Sequence, residues 1–307
     1  MRFGLGCAQL GNLYAERSDA DARAIVDAAW DEGIRYFDTA PHYGLGLSER
    51  RLGAALRDRP RAQYTVSTKV GRLLEPVEGG GDDLADGFAV PRTHRRVWDF
   101  TRDGVRRSIE ESLARLGLDR IDLALLHDPE HHPDIALREA FPALAELCAE
   151  GVVGSVGAGS KDAAVLTRVV TECTPDVVLV AGRYTLLEQP AAETLLPACA
   201  AAGVGVLAAG VFNSGLLAQE RPREGLPYEY GAAPAGLVRR AAALAEVCAA
   251  HGTTLPAAAI AFPGRDPSVT AVVVGADSAE QVRRNAALFA APPPAGLWPA
   301  LTERGLL

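Results

Sequence analysis

The segment TRDGVRRSIEESLARLGLDRIDLALLHD (101–128) contains one complete helix-and-strand unit of the chain. Its first half repeats apolar residues at helical intervals from Val105 to Leu116, which predicts an amphipathic helix. Thr101 stands directly before that run and is a typical N-cap residue. The second half is a nearly continuous apolar run, as expected of a parallel strand buried on both faces. We therefore predict a capped helix followed by a buried strand at 121–128.

The same alternation runs through the whole chain. Strand-like runs are predicted at 2–6, 33–40, 64–70, 121–128, 152–159, 176–182, 203–210 and 269–276. Helical patterns separate them, at 18–32, 101–116, 135–150, 161–172, 190–202, 234–250 and 278–290. Alternating elements imply parallel strands with right-handed crossovers. Eight repeats without a linker favour an α/β (β/α)8 TIM barrel, formed by residues 1–307 as one domain, over the alternative of an open sheet.

Two connections are too long to be plain links between elements. Residues 71–100 follow the third predicted strand, and residues 211–232 follow the seventh. Long loops without secondary structure are usually functional in compact domains. In a barrel both would lie at the C-terminal ends of the strands, where active sites are found. We expect them to cover that face and to form the substrate pocket with His42, Trp98 and Phe212.

Composition and charge exclude several classes of protein. The 307 residues are 48% hydrophobic and carry a net charge of −8, with no Lys- or Arg-rich run. Because nucleic-acid backbones are bound mainly through clustered positive charge, no nucleic-acid partner is expected. No apolar run reaches the roughly 20 residues that span a bilayer, and no signal-peptide pattern is present. We expect no membrane association, and the sequence leaves the oligomeric state open.

Cysteine and histidine spacing indicates neither a disulfide framework nor a metal site. The cysteines are odd in number and widely spaced, at Cys7, Cys148, Cys173, Cys199 and Cys248. This pattern favours free thiols in a reducing, cytoplasmic setting. The run HDPEHH (127–132) is rich in histidine, but neighbouring residues on an extended loop rarely converge on one ion. No metal is expected.

Four residues suited to proton transfer occur at or just beyond predicted strand ends: Asp38, Tyr43, Lys69 and His127. The ordinary pKa of a tyrosine, about 10, is too high for easy proton exchange at neutral pH. A nearby ammonium is expected to lower that pKa, and a carboxylate can hold the ammonium in place. A neutral histidine can orient a substrate oxygen. Together these groups predict a general acid/base beside a polarised C–O bond, which suits hydride transfer to a bound cofactor.

The segment FDTAPHYGLGLSERRLG (37–53) resembles the signature of the aldo-keto reductases. The similarity continues in order through STK (67–69), IDLALLHD (121–128), GVVGSVGAGS (151–160) and VVVGADSAEQVRRN (272–285). This resemblance implies a barrel oxidoreductase with a nicotinamide cofactor. Carried over by position, it implies that Asp38, Tyr43, Lys69 and His127 are the catalytic tetrad. Tyr43 would be the base in oxidation and the acid in reduction.

Two further stretches resemble a subgroup of this family. AGRYTLLEQ (181–189) and GVFNSGLLA (210–218) are similar to sugar dehydrogenases that act on L-fucose, L-galactose or D-threo-aldoses. The resemblance implies an aldose 1-dehydrogenase that oxidises a cyclic hemiacetal hydroxyl to a lactone. Alternatives are a pyridoxal 4-dehydrogenase, a general aldehyde or ketone reductase, and a non-catalytic barrel subunit that senses nucleotides.

The chain also departs from the family pattern. Members commonly have Ser-Asn after the fifth strand, against the nicotinamide carboxamide, whereas this chain has Ser160 followed by Lys161. An aromatic residue often stacks on the nicotinamide after the seventh strand, where this chain has the small Ala209 and Gly210. Phe212 or another group is therefore expected to cover the ring. The other predicted cofactor contacts are Cys7, Ser160, Asn213, Gly215, Gly275, Gln281 and Asn285.

Asp277 bears on the choice of cofactor. Many members have an arginine here that binds the 2′-phosphate of NADP. A carboxylate would repel that phosphate and accept a hydrogen bond from a free 2′-hydroxyl. We therefore expect NAD to be preferred, with NADP as the alternative. The competing readings are that Asp277 only caps the last barrel helix, or that Arg283 or Arg284 binds the phosphate.

Overall fold

In the computed structural model, which describes residues 1–229 and 231–307, eight parallel strands close into a barrel. Their order around the barrel follows the order in the chain, and the first strand pairs with both the second and the eighth. The eight barrel strands are Arg2–Gly6, Tyr36–Asp38, Thr65–Val70, Ile121–His127, Val153–Ser160, Val177–Ala181, Gly205–Ala209 and Val269–Gly275. Each coincides with a predicted strand, so the closed barrel is confirmed.

Helices surround the barrel and cover its apolar outer surface. Their bounds are Asp19–Asp31, Leu47–Leu56, Arg102–Leu116, Pro133–Ile135, Phe141–Ala149, Ala163–Glu172, Leu195–Ala202, Ala235–Ala250, Leu255–Ala261, Ala279–Ala290 and Leu297–Glu303. Thr101 caps its helix as predicted, because its hydroxyl accepts a hydrogen bond of 3.1 Å from the amide of Gly104. No helix of the described residues is both long and apolar enough to cross a membrane.

The predicted helix at 135–150 is interrupted. A five-residue π-helical segment, Ala136–Ala140, precedes the regular helix Phe141–Ala149. Pro142 has no amide hydrogen to donate to the preceding turn, so regular α-helical bonding cannot continue through it. The predicted helix at 190–202 begins only at Leu195, after a 3-10 turn at Pro190–Ala192.

Three helices were not predicted: Leu47–Leu56, Leu255–Ala261 and Leu297–Glu303. The first follows a glycine-rich turn that hides its periodicity. The second carries Pro256 in its first turn, where proline is tolerated because the missing amide would have no partner there. The third directly follows a proline-rich stretch.

The segment 71–100 is ordered, which corrects its interpretation as a loop without secondary structure. Arg72–Pro76 pairs antiparallel with His94–Trp98, and Asp82–Asp83 pairs with Phe88–Pro91. Phe88 and its apolar neighbours form a small buried cluster separate from the main core, and this cluster anchors the segment over the barrel. Residues 211–232 contain a 3-10 turn at Leu216–Ala218, and Pro227–Tyr228 pairs with Gly231–Ala232.

A buried ion pair joins two helices to the third barrel strand. The side chain of Glu49 is fully buried. It accepts a hydrogen bond of 2.7 Å from the hydroxyl of Thr68 and one of 2.5 Å from Nε of Arg115. Because Thr68 precedes Lys69 in the chain, this pair fixes the strand that carries the lysine.

We predict that Arg115→Met lowers the free energy of unfolding by about 3–5 kcal/mol, because it leaves a buried carboxylate without its partner. Urea unfolding followed by circular dichroism measures the change. The matched control is Arg107→Met in the same helix, whose partner Glu111 is on the surface, and it should show no measurable change. Equal effects of the two substitutions would contradict the structural role given to Glu49.

Candidate active site

The turn that carries Tyr43 leaves the second strand at Asp38 and folds back onto the first loop. Three successive residues, Gly44, Leu45 and Gly46, have positive φ angles of 60°, 52° and 80°. A Cβ on Gly44 would lie 2.2 Å from the carbonyl oxygen of Gly11, so only glycine allows this close approach. The turn thereby brings the Tyr43 side chain back over the end of its own strand.

The buried ammonium of Lys69 joins the predicted residues. Its Nζ atom donates hydrogen bonds to Oδ2 of Asp38 at 2.8 Å, to the carbonyl oxygen of Thr39 at 2.8 Å and to the hydroxyl of Tyr43 at 3.1 Å. A lysine ammonium has three hydrogens, so these bonds use all of them. Burial by itself would lower the pKa of Lys69, but Asp38 and Tyr43 offset that effect, and the pKa is raised. Lys69 is therefore a permanent cation in this site.

The hydroxyl of Tyr43 faces the cavity, and its oxygen accepts the hydrogen bond from Lys69. The hydrogen of this hydroxyl therefore points away from the ammonium and is not used in that bond. Burial raises the pKa of Tyr43 by more than Lys69 lowers it, so the net shift is upward. This result corrects the expectation of a lowered pKa. The ammonium opposes the effect of burial without reversing it.

The two histidines of the site are neutral. His127 ends the fourth strand, and its ring centroid lies 6.0 Å from that of Tyr43 with perpendicular planes. Burial holds the pKa of His127 well below its ordinary value, and nearby cations such as Arg72 lower it further. The pKa of His42 is lowered to about 2, again mainly by burial. Neutral imidazoles can hydrogen-bond a substrate oxygen without contributing a charge.

The segment 71–100 supplies one wall of the cavity. Phe88 stacks edge-on against His42, with ring centroids 5.3 Å apart. Arg96 donates a hydrogen bond of 2.9 Å to the carbonyl oxygen of His42, and both oxygens of the buried Asp83 hold Arg96 in place. The segment 71–100 thus covers the active-site face, as predicted, through the contacts of Phe88 and Arg96 with His42. Its antiparallel strand pairs were not predicted.

The cavity itself has a volume of about 570 Å³ and is lined by all four predicted catalytic residues. The opposite part of its lining includes five residues with little or no side chain: Gly6, Gly159, Ala181, Ala209 and Gly275. Oε1 of Gln9 and Nδ1 of His42 are buried and have no hydrogen-bond partner among the described residues. The cavity therefore has room for a flat ring and unpartnered polar atoms to bind it, which fits a nicotinamide.

The other predicted contacts divide into two groups. Cys7, His42, Ser160 and Gly275 line the cavity. The following residues are not among its lining: Trp98, Phe212, Asn213, Gly215, Asp277, Gln281 and Asn285. Trp98 is 38% exposed and packs on Phe100 and the guanidinium of Arg72, and its contact with substrate stays a prediction. Phe212 packs against the main core.

Several cavity residues were missed by the sequence reasoning, among them Gln9 and Glu130. The hydroxyl of Ser160 donates to Oε2 of Glu130 at 2.7 Å and accepts from the amide of Asp162 at 2.8 Å. Burial raises the pKa of Glu130. The carboxylate thus lies beside the place where the family's usual asparagine is absent. Its position in a histidine-rich run was considered only for metal binding.

Asp277 forms an ion pair with Arg17, a residue that the sequence reasoning did not consider. Ser278 and Gln281 form only one of the two hydrogen bonds of a capping box at this helix. Ser278 accepts a hydrogen bond from the amide of Gln281 at 3.2 Å, but the Gln281 side chain accepts from the amide of Asp277 instead. Ser278 is therefore the N-cap, and the carboxylate of Asp277 is not used as the cap. Arg284 lies 3.7 Å from Glu220.

A closed parallel barrel with an acid/base site at the C-terminal ends of its strands defines a class of TIM-barrel oxidoreductases. Residues 2–302 match the model of the Aldo/keto reductase family, and the chain belongs to that family. It is an oxidoreductase that acts on CH–OH groups with a nicotinamide cofactor, so the alternative of a non-catalytic subunit is set aside.

Curated relatives and a solved structure agree with this assignment. The chain is 54% identical to a D-threo-aldose 1-dehydrogenase of a Pseudomonas species, over 99% of this chain and 94% of that protein. It is 38% identical to a pyridoxal 4-dehydrogenase of Microbacterium luteolum, with the same coverage of 99% and 94%. An aldo-keto reductase from Bacillus halodurans superposes with a TM-score of 0.77 at 28% identity, covering 96% of this chain and 88% of that one.

Proposed function

We propose that this chain is an NAD-dependent aldose 1-dehydrogenase. The observation that carries the proposal is the Tyr43 hydroxyl, which Lys69 holds at the cavity with its proton directed away from the ammonium. The proposal is supported by 54% identity to an enzyme named for this activity on D-threo-aldoses. The two neutral histidines in the cavity also suit a substrate rich in hydroxyl groups.

Within this proposal each tetrad residue has a separate task. His127 hydrogen-bonds the anomeric oxygen of the sugar and orients it. Tyr43, as phenolate, takes the hydroxyl proton, and the ammonium of Lys69, which Asp38 holds in place, stabilises that charge. The C–H bond at the anomeric carbon breaks, and its electron pair leaves with the hydrogen as hydride. A bound nicotinamide would supply the acceptor for this hydride, and loss of the hydride and the hydroxyl proton converts the cyclic sugar to a lactone.

We predict that Tyr43→Phe lowers kcat for sugar oxidation by about 100-fold or more while leaving NAD⁺ binding unchanged, because only the proton acceptor is lost. Initial rates with L-fucose, L-galactose, D-arabinose and pyridoxal measure the first effect and identify the substrate class. Fluorescence titration measures the second. The control Tyr64→Phe removes a tyrosine hydroxyl before the third strand, away from the cavity, and should keep full activity.

Two other results would change the proposal. Turnover retained by Tyr43→Phe would remove Tyr43 from the role of base. A wild-type enzyme that oxidises pyridoxal but none of the sugars would favour the pyridoxal 4-dehydrogenase alternative, which the 38% identity to such an enzyme supports.

The preference for NAD is proposed from Asp277. The carboxylate is about half exposed and precedes the last barrel helix, Ala279–Ala290, where it would repel a 2′-phosphate. Arg17, the nearest cation to it, is engaged in the ion pair with Asp277 and with backbone carbonyl oxygens. It is therefore not free to take a phosphate unless that pair breaks.

We predict that Asp277→Arg lowers the ratio of kcat/KM with NAD⁺ to kcat/KM with NADP⁺ by about 10-fold or more, because a repulsive charge becomes an attractive one that also frees Arg17. The matched control is Glu280→Arg, which makes the same charge change at an exposed site in the first turn of the same helix. It should leave the ratio nearly unchanged. A wild-type preference for NADP⁺, or equal effects of both substitutions, would contradict the assignment.

A further inference from the structure

A line of hydroxyl groups continues from the tetrad into the barrel interior. Oγ of Ser67 lies 2.7 Å from Oδ1 of Asp38, and the hydroxyl of Tyr36 lies 2.8 Å from Oγ of Ser67. All three side chains are buried. Tyr36 is a titratable group that the proposed reaction does not use. The line therefore connects a hydroxyl deep in the barrel with the carboxylate that holds Lys69.

Counting hydrogens fixes the direction of every bond in this line. The carboxylate of Asp38 can only accept, so Ser67 donates its single hydrogen to Oδ1. Ser67 then has only lone pairs left for Tyr36, and the Tyr36 hydroxyl must donate to it. Asp38 Oδ2 accepts from Lys69, and Lys69 also donates to Tyr43. Both carboxylate oxygens of Asp38 are thus held by donors, one from each side.

Strand register explains why these residues meet. Tyr36 and Asp38 lie two residues apart on the second strand, and Ser67 and Lys69 lie two apart on the third, so all four point into the barrel. Asp38 is opposite Ser67 in the parallel pairing of the two strands. Space for the Tyr36 ring comes from Gly4, where a Cβ would lie 2.5 Å from Cδ1 of that ring.

We propose that Tyr36 and Ser67 form an inner hydrogen-bond chain that orients the Asp38 carboxylate and screens its charge, so that both are positioning residues for the Tyr43 hydroxyl. The proposal rests on the function proposed above. Without the Ser67 hydroxyl, the negative charge of Asp38 acts more strongly on Lys69 and on Tyr43. Both effects stabilise the protonated form of Tyr43 and raise its pKa.

Other charged and titratable groups also face this pair, and the substitutions below leave all of them in place. Lys69 and Asp128 contribute to the pKa of Tyr43 from the third strand and from the loop after the fourth. The rings of His42 and His127 lie beside Tyr43. Cys7 lies near Asp38, and burial raises the pKa of its thiol. A change in the pH profile can then be assigned to the hydroxyl that was removed.

The test is a double-mutant cycle of Ser67→Ala and Tyr36→Phe, with kcat/KM for sugar oxidation measured against pH. Ser67→Ala should shift the acidic limb of the profile of kcat/KM against pH to higher pH by about 0.5–1 unit. At a fixed pH on that limb, kcat/KM should fall by about 3- to 10-fold. Tyr36→Phe should move it in the same direction by less. The double variant should match Ser67→Ala alone, because Tyr36 acts only through Ser67.

Matched controls and a second readout separate this effect from a loss of folding. Ser108→Ala removes a buried hydroxyl that has no partner among the described residues. Tyr64→Phe removes a tyrosine hydroxyl that is not part of the inner hydrogen-bond chain. Neither substitution should move the acidic limb of the pH profile. Ultraviolet titration of each protein against its Tyr43→Phe counterpart follows phenolate formation without requiring turnover, and it should show the same upward shift.

The outcomes distinguish the two proposals. If the wild-type enzyme oxidises no sugar, the proposed function fails. The ultraviolet titration still tests whether the inner hydrogen-bond chain of Tyr36 and Ser67 affects the pKa of Tyr43. If Ser67→Ala lowers thermal stability but leaves both the pH limb and the phenolate titration unmoved, the hydroxyls are only structural and this inference is wrong. Additive shifts in the double variant would contradict transmission from Tyr36 through Ser67.

Discussion

The buried ammonium of Lys69 is the interaction on which the rest of the site depends. A charge without hydrogen-bond partners inside a barrel would be very costly, and it persists here because its three hydrogens have three acceptors. One acceptor is the carboxylate of Asp38, which balances the charge. Another is the hydroxyl of Tyr43, whose orientation follows from that bond. The same cation therefore holds the second and third strands together and directs a proton toward the cavity.

The barrel mouth is asymmetric, and this asymmetry separates the two parts of the reaction. Side chains that handle protons come from the second, third and fourth strands and from the turn after the second. Each of the other five strands contributes a glycine or an alanine to the cavity lining, beside Ser160, Leu179 and Val273. The small residues leave room for a flat cofactor ring opposite the acid/base group. Large apolar residues below, such as Leu125 and Leu179, pack together inside the barrel.

Sequence reasoning predicted the barrel and selected the four residues that meet at its mouth, because both have strong local signals. Parallel strands buried on both faces produce apolar runs, and polar residues at their ends are conspicuous. Contacts set by three-dimensional neighbours had no such signal. Arg17 pairs with Asp277, although the two residues are 260 positions apart in the chain. The raised pKa of Tyr43 depends on how deeply its hydroxyl is buried in the folded protein. The surroundings of Trp98 depend on the pairing of Arg72–Pro76 with His94–Trp98, which alternating polarity did not reveal.

The pH dependence of Lys69→Met tests the central claim most directly. Methionine keeps much of the length of the side chain but removes the charge, so burial and Asp38 would both raise the pKa of Tyr43 unopposed. The account predicts that the acidic limb of kcat/KM for sugar oxidation moves upward by about one pH unit or more relative to the wild type, with loss of activity at neutral pH. A lower kcat with the limb unmoved would show that Lys69 does not control the proton of Tyr43, which would contradict the account.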